Sequence, residues 1–167
     1  MRAALLFLLV IAGVIGYIVG YRHYDRNTLI EFTENVESLC FSRVDDHIQM
    51  ANYISEYNQG REIPYIRAER LFETLRDGHD AASLALAGIE YPKRNGASEY
   101  EESVRAMMIE EAELVRLYGR LFEEEGGIGK DRNVGYRISE VSDRFSEEMA
   151  AVAEAQTSML RWNRAIN

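Results

Sequence analysis

From residue 24 onward, apolar side chains recur every three or four positions, the period of one face of an α-helix, and no stretch alternates as a strand does. The pattern predicts four helices. The first, about residues 24–57, carries Leu29, Phe32, Val36, Cys40, Val44, His47, Ala51 and Ile54 on one stripe. The second, about 65–89, presents Ala68, Phe72, Leu75, His79, Ala82, Leu86 and Ile89. Tyr100, Val104, Met107, Glu111, Leu114, Tyr118 and Phe122 form the third stripe. The fourth runs through Val134, Ile138, Val141, Phe145, Met149, Val152, Gln156 and Met159 to about residue 163.

The breaks between these segments have their own chemistry. In "NQGREIP", Gly60 can adopt the left-handed conformation that stops a helix, and Pro64 suits the first turn of the next. "EYPKRNGAS" closes the second helix and offers Ser98 as a cap for the third, with Glu101 completing a capping box. "EEEGGIGKDRN" separates the third from the fourth. Gly78, inside the second helix, costs about 1 kcal/mol relative to alanine and reads as a local weak point. Four amphipathic helices with short connections can bury their stripes only against one another, so the expected fold is all-α, an up-down-up-down four-helix bundle over residues 24–167. An extended coiled coil is disfavoured by the glycine-containing breaks and by stripes wider than a two-position seam.

Residues 3–21, "AALLFLLVIAGVIGYIVGY", break the amphipathic pattern: they carry no charge and are apolar all round. At about 1.5 Å per residue, such a run forms a helix of about 28 Å, close to the thickness of a bilayer's hydrocarbon core. Tyr17, Tyr21 and Tyr24 cluster at one end beside Arg22 and Arg26, where amphipathic rings meet lipid headgroups. The run exceeds the usual apolar region of a cleaved signal, and its one small-x-small site, ending at Ala12, would leave a greasy new terminus. Residues 1–23 are therefore expected to be a retained single-pass transmembrane anchor. Ala12, Gly16 and Gly20 recur every four residues, a strip along which a second span can approach, including that of a homodimer. The short Met-Arg start favours the C-terminal bulk on the extracytoplasmic side, although the Lys and Arg count of the two flanks leans slightly the other way. The expected bilayer is a bacterial inner membrane.

Charge and cysteine content narrow the function classes. The 167 residues carry a net charge of −9, and residues 24–167 hold 17 basic against 28 acidic side chains, a net of −11. Such a surface repels phosphate backbones, so nucleic acid is excluded as a partner and membrane-surface binding beyond the anchor is not expected. The single cysteine, Cys40, rules out an internal disulfide and any multi-cysteine metal site, and its place on an apolar stripe reads as a small buried hydrophobe.

Candidate chemistry is sparse. "GGIGK" at 126–130 lacks the preceding strand and the Ser or Thr that a phosphate-cradling loop needs after the lysine. His47, His79 and Glu111 are polar residues on buried stripes at comparable heights, with Gln156 a turn or two away. They predict a buried polar layer, and the paired Glu-x-x-His pattern of di-iron bundles is missing. No serine–histidine–acid or cysteine–histidine arrangement can be drawn from the spacing, so no catalytic residue, cofactor or metal is assigned and an enzyme is not expected. Tyr53, Tyr57 and Tyr65 cluster around the first connection, at the end of the bundle predicted to lie farthest from the membrane, where tyrosines suit a protein partner. The sequence thus points to a membrane-anchored interaction module or accessory subunit. The alternative is an extracytoplasmic ligand-responsive sensor that uses the polar layer.

Overall fold

A computed structural model of the protein describes residue 20 and residues 25–62, 64–122 and 132–163. The predicted span over 3–21, including Ala12 and Gly16, lies outside the described residues, as does the glycine loop at 126–130. Gly20 is described: it is helical and exposed, and a Cβ added there would meet nothing within 4 Å. Among the described residues no helix is long and apolar enough to cross a membrane.

The described chain is all-helical, with no strand. A leading helical stretch, α1 (residues 25–41), is followed by α2 (Val44–Asn58), α3 (Tyr65–Ala87), α4 (Ala97–Phe122) and α5 (Arg132–Trp162). α1 and α2 together occupy the single helix expected over 24–57, interrupted by a turn at Ser42–Arg43. Arg43 leaves helical geometry with φ −106° and ψ 1°. Its Nη1 donates to the carbonyl of Leu39 (2.9 Å), one of the carbonyls at the end of α1 that a helix terminus leaves exposed. Asp45 and Asp46 then fall in the first turn of α2, where negative charge suits the helix dipole.

The other ends follow from glycine and proline. Gly60 has φ +74°, its N–H donates to the Tyr57 carbonyl (2.9 Å), and the Arg61 N–H reaches back to Glu56 (3.0 Å). These are the two bonds of a Schellman stop. Pro64 precedes Tyr65 as the N-cap of α3. α4 begins at Ala97, so Ser98 lies inside its first turn and does not cap it. The chain turns at Gly96 instead, with φ +81° and its carbonyl accepting from the Tyr100 N–H (3.0 Å).

One core unites the helices. Val36, Met50, Leu75, Met107, Leu117, Val152 and Met159 are fully shielded from solvent. α4 packs most closely on α5 and also touches α3. The ion pairs Arg137–Glu113 and Arg144–Glu110 run down the α4–α5 seam, one partner ascending in number as the other falls, so these two helices are antiparallel. The stripes lie inward as the periodicity predicts, with three exchanges in the first arm. Thr33, Arg43 and Met50 are buried, while Phe32 and Val44 are half-buried and Ala51 is exposed. Thr33 can enter because its hydroxyl donates to the Ile30 carbonyl (2.8 Å). Arg43 enters because a carboxylate awaits it.

Candidate functional site

That carboxylate belongs to Glu111, near the middle of α4 and completely buried. Arg43 from the α1–α2 turn, His47 from α2 and His79 from α3 converge on it. The Arg43 guanidinium forms a two-pronged pair, with Nε donating to Oε1 and Nη2 to Oε2, both at 2.7 Å. His47 Nε2 lies 3.1 Å from Oε1 and His79 Nδ1 lies 3.0 Å from Oε2. An ionised carboxylate only accepts, so each imidazole must present an N–H to it. Each carboxylate oxygen thus has two donors, which is the capacity of the group.

The local sequence makes this convergence possible. Arg43 and His47 are four apart and share a face. His79 follows Gly78, whose missing side chain leaves room for the incoming arginine. A Cβ at Gly78 would lie 2.9 Å from Arg43 Cδ. Gly78 is therefore the gap through which Arg43 reaches the carboxylate, a function that the sequence reading, which saw only a helix weak point, did not assign. The rings of Phe145 and Tyr118 flank His47, with centroids at 5.1 and 5.9 Å. His47 Nδ1 is buried and has no hydrogen-bond partner.

Electrostatics here are a contest between burial and donors. Burial raises the Glu111 carboxyl most strongly, but hydrogen bonds from His47, His79 and Arg43, together with the arginine charge, outweigh it and hold the group well below the ordinary carboxylate range. Cys40 lies on α1, three residues before Arg43, and there burial dominates. Burial pushes its thiol up to about 12, with Glu111 and Glu37 adding to the rise and Arg43 opposing it. The thiolate is suppressed, and with it nucleophilic reactivity.

The structure brings His47, His79 and Glu111 together and leaves Gln156 elsewhere, half-buried with its amide donating to Glu37 Oε2 (3.2 Å). Arg43 is the member that sequence reasoning missed. Its signal was available: it lies three residues after Cys40 and four before His47 on the buried stripe, but the apolar neighbour Val44 competed for the position. A second correction concerns Ser83, whose Oγ lies 3.3 Å from His79 Nε2. A serine–histidine–glutamate chain therefore does exist, through residues four apart on α3. It differs from a nucleophilic triad because the carboxylate is already neutralised by Arg43, and because Ser83 sits inside a helix whose neighbouring N–H groups are held in the backbone ladder. Among the described residues, no group of three or more His, Cys, Asp or Glu is placed to hold a metal ion.

The tyrosines near the first connection are only partly available. Tyr53, Tyr57 and Tyr65 are all half-buried. Tyr57 and Tyr65 pack against the core, and the Tyr65 ring meets Phe122 at 5.8 Å between centroids. Phe122 in turn stacks on Phe72 at 5.5 Å, and a Cβ at Gly119 would come within 3.2 Å of Phe72. Tyr53 accepts from Gln49 (3.3 Å) at the surface.

No protein-family model, curated protein or solved structure matches this chain. Function has to be read from the residues themselves.

Proposed function

We propose that this chain is a single-pass membrane protein whose up-down-up-down helical bundle acts as an interaction module, an accessory or adaptor subunit of a membrane-associated complex. The observation that carries the reading is the uncharged run of residues 3–21, separated from α1 by residues 22–24 alone. The polar layer supports it from the other side. With each Glu111 oxygen holding two donors, a ligand bound there must first displace Arg43 or a histidine, which leaves a buried charge or donor unpaired. A function as an internal ligand sensor is therefore the weaker reading, and the outer surface carries the recognition.

The test combines compartment and partner. Full-length protein should remain in the membrane pellet through alkaline carbonate, and an alkaline phosphatase fusion at Asn167 should be active if the bundle is extracytoplasmic. Crosslinking in membranes should capture a protein partner, while a screen of small polar molecules should leave the melting temperature unchanged. Recovery of the full-length chain in the detergent-free soluble fraction would end the anchor reading. Tyr57→Ala and Tyr65→Ala test the distal end, and Gly16→Leu in a membrane two-hybrid assay tests the Ala12, Gly16, Gly20 strip as a homodimer contact.

A further inference from the structure

The two histidines on Glu111 differ at the nitrogen that faces away from it. Each imidazole gives one N–H to the carboxylate, so its second nitrogen decides its charge. For His47 that nitrogen is Nδ1, buried beside the Phe145 and Tyr118 rings and without a partner. A proton there would be a buried charged donor with nothing to accept it. For His79 the second nitrogen is Nε2, 3.3 Å from Ser83 Oγ. A hydroxyl serves both states of the ring: it donates to neutral Nε2, or turns and accepts from a protonated one. Ser83 is half-buried and so reaches solvent as well as the ring. The two carboxylate oxygens differ as well. His79 Nδ1 and Arg43 Nη2 share Oε2, and Arg43 is the residue that leaves helical geometry between α1 and α2 and holds the Leu39 carbonyl.

We propose that His79 is a proton switch acting on the α1–α2 turn: in mild acid it takes a second proton on Nε2, Ser83 Oγ accepts the new N–H, and the added charge loosens Arg43 from the oxygen the two share. With Glu111 ionised and both imidazoles neutral, Arg43 balances the layer; a proton on His79 leaves it positive, with like charges side by side on Oε2. The carboxylate does not compete for that proton, because its donors hold it well below the ordinary carboxylate range. Around His79, α4 presents Glu111 and the first arm presents Arg43 and His47, with the Cys40 thiol close to Arg43 and Glu111 and kept protonated by burial. On α3 itself Asp77 pairs with Arg76, and Asp80 is exposed. α5 brings the Phe145 ring, while its Arg144 is engaged with Glu110 and Glu140. A proton, unlike a larger ligand, enters without displacing a donor. The switch goes beyond the adaptor reading and stands whether or not residues 1–23 span a membrane, since its groups lie between Leu39 and Glu111.

The test needs no variant to begin. Full-length chain with ¹⁵N-labelled histidine, kept in a mild detergent, is followed by NMR from about pH 8 to about pH 5, the range in which histidine changes charge. The His79 Nε2 signal should move from the unprotonated to the protonated position, while His47 Nδ1 stays unprotonated throughout. Amide hydrogen exchange reads the turn over the same range. The Ser42 N–H donates to the Ser38 carbonyl and the His47 N–H to the Arg43 carbonyl, so these two amides bracket it. Their protection should fall severalfold in the acid samples, with that of buried Leu117 and Val152 on α4 and α5 unchanged. His79→Gln, which cannot take the charge, should keep the turn protected at both ends of the range. A His79 ring that stays neutral down to about pH 5 overturns the switch, as does a proton that goes to His47 first. Protonation of His79 with no loss of protection at the turn overturns it too, and so does a loss that persists in His79→Gln.

Discussion

Two arginine–carboxylate pairs sit at different depths in this molecule. Arg43–Glu111 joins side chains that are 7% and 0% exposed at the bundle centre, whereas Arg94–Asp25 joins side chains 39% and 41% exposed at one end. The chemistry is the same and the consequences are opposite. At the end, water and salt screen the pair, which contributes between nothing and about 1 kcal/mol. At the centre neither partner can be rehydrated, so the cost of separating them is far larger than any net gain from having both. A closed polar layer of this kind selects one arrangement of α1, α2, α3 and α4, because every slipped arrangement strands a charge.

The largest expected effect follows from breaking the central pair. Glu111→Leu leaves Arg43 buried without a counter-charge and should cost about 3–5 kcal/mol in urea unfolding followed by helical circular dichroism. Adding Arg43→Met should restore most of that loss, since two apolar side chains of similar volume avoid the desolvation cost altogether. A double variant no better than the single one would mean that the layer stabilises through its hydrogen bonds and not through charge balance.

Gly96→Ala comes next. The left-handed backbone at +81° disfavours a side chain by about 1–2 kcal/mol, and the new Cβ must also displace Trp162. Gly78→Ala is more informative at a smaller size. Helix propensity alone should stabilise it by about 1 kcal/mol, but crowding against Arg43 should turn the sign to a loss of about 1 kcal/mol. In an Arg43→Ala background the same substitution should become stabilising, which separates crowding from any defect of α3 itself.

Acid titration probes the same layer. Because the folded-state Glu111 carboxyl titrates below its ordinary value of 4.5, its contribution is fully present above about pH 5. That contribution is lost as pH falls below 4.5 toward the depressed folded value. Unfolding free energy should therefore drop along that acid limb, and Glu111→Gln should shallow the slope. At the other depth, Asp25→Asn should change stability by less than about 0.5 kcal/mol, the smallest effect of the series.

Much of the fold was legible in the amino-acid order. The stripes on α3, α4 and α5 lie inward as the period predicts, because each needs only a neighbour of any apolar kind. Gly60 stops α2 as expected, since few residues other than glycine accept its φ. The first arm was less legible. Reading hydrophobicity alone chose Phe32 over Thr33 and Val44 over Arg43, although both polar side chains are buried. Each is admitted by a hydrogen-bond acceptor, and for Arg43 that acceptor lies 68 residues away. Ser98 was overestimated as a cap because its pattern is local, whereas the start of α4 is fixed by the turn at Gly96 and the Trp162 ring above it.

The sequence by itself determined that this chain is helical, where most of its breaks fall, and which faces must be hidden, because period, glycine and proline act within a few residues. Only the tertiary structure decided that His47, His79 and Arg43 share one carboxylate, that Gly78 makes room for the arginine, and that the start of α1, the α3–α4 connection and the end of α5 meet at one end. Those outcomes depend on distances between residues far apart in the chain, and no local preference encodes them.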